Sequence, residues 1–163
     1  MNAIIEIPKG SFIKYEICKA TGIMIADRVL QIPYTHNYGY IEDTLAEDND
    51  PLDIFVITSE GYIESGARTK FRAIGIVYYT DNKEVDNKII AVHPNDKVFG
   101  FIDDINDLKE DHIYNIKKFL ASYKDNTTIE GVGDKKAAMR EIDKCLSAYK
   151  KTQWSPDEKW QRP

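Results

Sequence analysis

In the earlier part of the chain, apolar residues come as short runs or alternate with polar ones. Later they recur at helical spacing. Residues 3–7 form an apolar run closed by Pro8. Residues 12–17 alternate, with Ile13, Tyr15 and Ile17 on one face and Phe12, Lys14 and Glu16 on the other, the pattern of a strand with one covered face. Gly22 marks a hairpin turn into a third strand at 23–30, which carries Asp27 and Arg28. Residues 53–58, 68–80 and 88–92 predict further strands, and Gly75 suits a bulge or barrel bend in the longest of them. Ile113, Ile116, Leu120 and Tyr123 then repeat at helical spacing, as do Ala138, Ile142, Cys145 and Tyr149. Both stripes read as core faces. Gly131-Val132-Gly133 reads as a loop before the second helix, and Asp103, Asp104 and Asp107 as a polar loop before the first. Strands followed by helices predict an α+β fold, with the strands curled into a small barrel.

The 163 residues predict a single domain, and residues 151–163, with Trp154 and Trp160, read as a polar tail docking on the domain or a neighbouring subunit. With 22 Lys+Arg against 27 Asp+Glu the formal charge is −5, which argues against a nucleic-acid or membrane-surface partner. Cys18 and Cys145 each lie in an apolar pattern and read as buried thiols in a reducing compartment. Residues 1–9 lack a signal-peptide apolar core and no run approaches membrane-spanning length, so the expected location is the cytoplasm.

Charge patterning adds chemistry. Asp48-Asn49-Asp50-Pro51-Leu52-Asp53 sets three carboxylates in one short stretch. An extended backbone would point Asp48 and Asp50 to the same side, and hard oxygen ligands suit Mg²⁺, Mn²⁺ or Ca²⁺. Taken alone, the stretch reads first as a solvated acidic turn. Asp81, Asp86 and Lys88 fall between two strands, which alone is a charged hairpin. Glu6, Lys14, Glu16 and Arg28 form a third group, and residues 34–40 hold three tyrosines. A phenol fills apolar space and still donates to an anionic oxygen. Tyr123-Lys124 closes the first helical stripe. Together these groups fit a polyanionic substrate that arrives with divalent metal. No GxSxG elbow or Walker A loop occurs, His36, His93 and His112 are scattered, and Leu52 breaks the EF-hand pattern.

In these residues the chain resembles the Mg²⁺-dependent, bacterial-type family I soluble inorganic pyrophosphatases. The resemblance rests on Ile5-Glu6-Ile7-Pro8, Lys14-Tyr15-Glu16, Asp27-Arg28, residues 34–40, the Asp48 to Asp53 motif, Asp81 with Asp86 and Lys88, and Tyr123-Lys124. It implies a five-stranded OB-like barrel with packed helices, usually a homohexamer, that hydrolyses pyrophosphate to two orthophosphates with a metal-activated water. It further implies several Mg²⁺ ions per site, with Mn²⁺ or Zn²⁺ as substitutes. Asp48, Asp53, Asp81, Asp86 and Glu16, or Glu6 in place of Glu16, would hold metal, and Asp50 would be the general base. Lys14, Arg28, Tyr38, Tyr123 and Lys124 would hold phosphate oxygens, with Lys88 supporting them and Tyr34 lining the site. Thr35 and Glu42 stand where prolines are common, Val132 replaces a common Trp, and Lys118 and Ser122 stand where hexameric relatives carry histidines. Two competing functions are a tyrosine-lined barrel that binds single-stranded nucleic acid and a catalytically inactive relative.

Overall fold

The computed structural model describes residues 1–18 and 20–153, so Trp154 and Trp160 lie outside the described residues. The strands are β1 (Asn2–Ile7), β2 (Ile13–Ile17), β3 (Met24–Val29), β4 (Asn37–Ile41), β5 (Asp53–Ile57), β6 (Arg68–Lys70), β7 (Arg72–Asp81), β8 (Glu84–Val85), β9 (Lys88–Val92) and β10 (Thr127–Gly133). The helices are α1 (Glu110–Tyr123) and α2 (Lys135–Gln153), so helix continues into the first residues of the expected tail. Asp104 accepts a hydrogen bond from the Asn106 N–H at the start of a short 3₁₀ turn, Ile105–Asp107, in the polar loop before α1.

The larger sheet runs β10-β7-β9-β5-β4-β1-β6, with β8 beside β7, while β2 and β3 form a separate hairpin turned at Gly22. Among the described residues only β5 and β9 pair in parallel. The α+β expectation holds. In place of a closed five-stranded barrel, the pairing among the described residues is an open path that ends at β10 and β6. The long strand predicted at 68–80 divides at Phe71: β6 pairs with β1 and β7 with β9.

The apolar run in β5 follows from burial on both faces, as parallel strands generally show. Ile54 and Val56 join Ala138, Ile142 and Cys145 of α2, whereas Phe55 and Ile57 join Ile116, Phe119 and Leu120 of α1. In β9, Ile89 and Ala91 divide from Ile90 and Val92 in the same way. The expected bulge is present, because the β7–β9 register slips between Ala73 and Gly75. Two strands depart from the sequence reading. Residues 131–133, expected as loop, end β10, which pairs along β7; a Cβ at Gly133 would sit 2.8 Å from Ala137 and Ile76, so glycine is what permits the strand to lie there. The motif at 34–40 contributes β4, where a Cβ on Gly39 would fall 1.9 Å from the Ile4 carbonyl oxygen. Only glycine lets β4 approach β1 so closely, which fixes the tyrosines on either side of it.

Candidate active site

A cavity of about 800 Å³ opens where the β2–β3 hairpin, β4, the loop before β5, the β7–β9 turn and the end of α1 converge. Asp48, Asp50, Asp53, Asp81, Asp86, Glu16, Lys14, Tyr38, Lys88, Tyr123 and Lys124 all line it, together with Glu6 and Tyr34. Arg28 does not. It lies on β3 opposite Lys14, half-exposed, with its Nε 3.5 Å from Asp27. Asn82 and Glu84, which the sequence analysis did not single out, also line the cavity. The positions of Asn82 and Glu84 beside Asp81 in a short turn were the only available signal.

Lys88 organises the floor. Its side chain is 1% exposed, and its Nζ donates to Asp53 Oδ2 at 2.5 Å and to Asp86 Oδ1. The parallel register sets Lys88 directly opposite Asp53. Asp53 Oδ2 also accepts from the Tyr38 hydroxyl at 2.5 Å. The ammonium lies 5.5 Å from the Tyr79 ring centroid and 5.9 Å from that of Tyr38, within cation–π range. Burial works against the Lys88 charge, but the Asp53 and Asp86 carboxylates outweigh it and hold the pKa above the usual lysine value. Across the cavity Lys124 pairs with Asp81, and Lys14 Nζ donates to Glu16 at 2.5 Å.

The loop carrying Asp48 and Asp50 is a turn, not the extended segment expected. Asn49 takes a left-handed backbone (φ 67°), and Asp48 Oδ1 accepts the Asp50 N–H at 2.9 Å. Asn tolerates that conformation better than most residues, so the two carboxylates reach one cavity by turn geometry. The phenols are held by ring contacts. Tyr34 lies 5.3 Å from Tyr38 and 4.4 Å from Phe119, and Phe119 stacks on Tyr123 at 5.1 Å. Burial raises the pKa of Tyr34, Tyr38 and Tyr123, so all three remain hydroxyl donors. Cys18, expected to be buried, is only partly covered at the cavity rim, because it falls in the β2–β3 turn. Its thiol pKa is lowered by hydrogen bonds from the Thr21 side chain and from the Thr21 and Ala20 backbone.

Acid groups outnumber the cations that face them. Burial, opposed by a hydrogen bond from the Ile17 N–H and reinforced by Asp53 and Glu16, pushes Glu6 up to about 7. Burial, opposed by Lys88 and reinforced by Asp53, pushes Asp86 up to about 6. Protonation of carboxylates in the absence of further cations is the response expected of an anion-rich pocket. The donor set is all oxygen, which fits a hard divalent cation. Among the described residues no three acidic, His or Cys side chains already converge on one point. Lysine ammonium groups stand between the carboxylates instead.

The family model for inorganic pyrophosphatase matches residues 3–150. The chain is 39% identical over 158 residues to soluble inorganic pyrophosphatase 3 of Arabidopsis thaliana, covering 96% of this chain and 70% of that one. It is 42% identical over 131 residues to the soluble inorganic pyrophosphatase of Zea mays, covering 79% and 61%. The chain thus spans less than the full length of these plant relatives. Among solved structures, the inorganic pyrophosphatase of Helicobacter pylori superposes with a TM-score of 0.87 at 33% identity, over 92% of this chain and 93% of that one. The Thermus thermophilus inorganic pyrophosphatase superposes with a TM-score of 0.87 at 34% identity, over 92% and 91%.

Proposed function

The chain belongs to the inorganic pyrophosphatase family, and from that premise we propose that it hydrolyses inorganic pyrophosphate to two orthophosphates in this cavity with Mg²⁺ held by its carboxylates. The observation that carries the proposal is convergence. Acidic, cationic and phenolic side chains from stretches far apart in sequence line one space, in proportions suited to a polyanion that enters with divalent cations.

Asp48, Asp53, Asp81, Asp86 and Glu16 would hold the metal, with Glu6 as the alternative to Glu16; Mn²⁺ or Zn²⁺ would be substitutes. Bound there, such ions would supply charge neutralisation on the substrate and a lowered pKa for water. Lys14, Lys124, Tyr123 and Tyr38 orient the phosphoryl oxygens, Lys88 keeps the central carboxylates in place, and Arg28 of β3 would extend to the substrate from outside the lining. Asp50 is the general base. A carboxylate committed to a cation is a poor proton acceptor, so the base stands outside the ligand set. Asp50, flanked by two proposed ligands, takes the proton as water oxygen bonds to phosphorus. The bridging P–O bond then breaks, and the departing phosphate keeps the bond's electron pair beside the cationic side chains, which stabilise its charge.

The barrel expected from the resemblance fits this reading if 68–81 is counted as one strand bent at Phe71, since that stretch pairs with β1 at one end and β9 at the other. A homo-oligomer, with a hexamer as the specific form, and a cytoplasmic setting complete the proposal. Free thiols at Cys18 and Cys145 support the latter. Phosphate release from pyrophosphate, measured with Mg²⁺ and with excess chelator, tests the function. Release only with metal is expected, and no release above the protein-free blank would end the proposal.

A further inference from the structure

Between Val85 of β8 and Lys88 of β9 the ladder keeps its register but changes its acceptor. Thr80 pairs with Val85 and Val77 with Lys88, so Tyr79 faces Asp86. In a regular antiparallel pair these two residues exchange both backbone hydrogen bonds. Here only one is made by the backbone, from the Asp86 N–H to the Tyr79 carbonyl at 2.9 Å. The Tyr79 N–H instead donates to the side-chain Oδ1 of Asn87 at 3.1 Å. An N–H needs an oxygen acceptor, so the donor itself fixes which way the Asn87 amide is turned.

We propose that Asn87 is a positioning residue for Asp86 and Lys88. By taking the place of the Asp86 carbonyl as acceptor, its side chain satisfies a buried backbone donor while the Asp86–Asn87 segment leaves the strand path. The released segment turns the Asp86 carboxylate toward the Lys88 ammonium and the cavity. Asn87 itself does not line the cavity, so it acts through its neighbours. A short side-chain acceptor is required at this position. An apolar replacement leaves the Tyr79 N–H unpaired or pulls Asp86 back into the ladder. This inference rests on the function proposed above for the role of Asp86.

Two variants separate the acceptor from mere bulk. Asn87→Asp keeps an oxygen in the same place and Asn87→Ala removes it. Mn²⁺ alone is titrated into each full-length protein and free ion is counted by electron paramagnetic resonance; kcat and KM for pyrophosphate are measured alongside. Asn87→Ala is expected to weaken Mn²⁺ binding about tenfold, the usual scale for groups that orient a metal ligand, while Asn87→Asp stays within about twofold of the parent or binds more tightly. Parent-like behaviour of Asn87→Ala, or equal damage in both variants, overturns the inference. Should Asn87→Ala fail to fold, hydrogen exchange at the Tyr79 amide of the parent decides together with Asn87→Asp: protection with intact Mn²⁺ binding supports the proposal, and fast exchange or weakened binding overturns it. A parent that binds Mn²⁺ without releasing phosphate refutes the proposed function, while the binding arms still judge Asn87.

Discussion

Lys88 holds a full charge where water does not reach, and two acids and two aromatic rings make that tolerable. Deleting one member of such a group leaves the others buried and uncompensated, which costs about 3–5 kcal/mol. Lys88→Met should therefore lower the melting temperature in chelator by roughly 10 °C. Mn²⁺ should raise it by more than in the parent, because a divalent ion replaces the missing charge. Equal melting temperatures in chelator would show that the pair contributes nothing. Asp50 behaves differently because its proposed task is to accept a proton. Asp50→Asn keeps the shape but removes the basic oxygen. The expected result is a kcat reduced about 10²–10⁴-fold with Mn²⁺ affinity close to that of the parent. Unchanged kcat would remove Asp50 from the role of base.

At the scale of elements, α1 reaches the cavity through rings. Phe119 touches Tyr34 and stacks on Tyr123, so it sets where the phenol at the helix end can lie. Phe119→Ala should cost about 3–5 kcal/mol of stability and also raise KM for pyrophosphate; Phe119→Leu should restore most of the stability but not the KM, because an aliphatic side chain cannot stack. A melting curve and a saturation curve on each variant test this. Elements were legible in the sequence where their apolar period was clean, as in β5, β9, α1 and α2. They were hidden where a polar or small residue is structural. In β4, Asn37 is fully buried because its amide is fully engaged: Oδ1 accepts the Lys9 and Ile63 N–H groups, and Nδ2 donates to the Val56 carbonyl and Thr58 Oγ1. A residue type that signals a turn thus sits in a central strand. β10 was obscured by its two glycines, of which Gly133 is the one that Ala137 and Ile76 press against. Most of the candidate site was visible through its carboxylates, lysines and tyrosines. The left-handed turn at Asn49 and the placement of Arg28 outside the cavity lining, beside Asp27, depend on contacts that only the fold supplies.

For the molecule as a whole, acid has opposing effects that one substitution can separate. His36 bridges the loop before β4 to α1, with Nε2 3.2 Å from His112 Nδ1 and Nδ1 3.0 Å from Thr35 Oγ1. Burial, aided by His112 and Lys9, pushes it down to about 3. Below its ordinary value near 6.5 the unfolded chain takes up a proton that the folded chain refuses, so His36 removes stability as pH falls from about 6.5 toward 3, by at most about 1.4 kcal/mol per pH unit. Glu6 and Asp86 act in the opposite sense. Their raised values, about 7 and about 6, mean that the metal-free folded chain binds protons first, which adds stability as pH falls through that range. Asp96 has a smaller effect at lower pH. Burial would raise it, but hydrogen bonds from the Phe99, Ser59 and Val98 N–H groups prevail and hold it at about 2, so its stabilisation is lost only below the ordinary carboxylate range. The melting temperature of the parent alone therefore mixes opposite signs. The difference between the parent and His36→Gln cancels Glu6, Asp86 and Asp96, which both proteins share. In chelator that difference should shift steadily against the parent from pH 7 to pH 5. A difference that stays constant over this range would mean that His36 is protonated alike in the folded and unfolded chains.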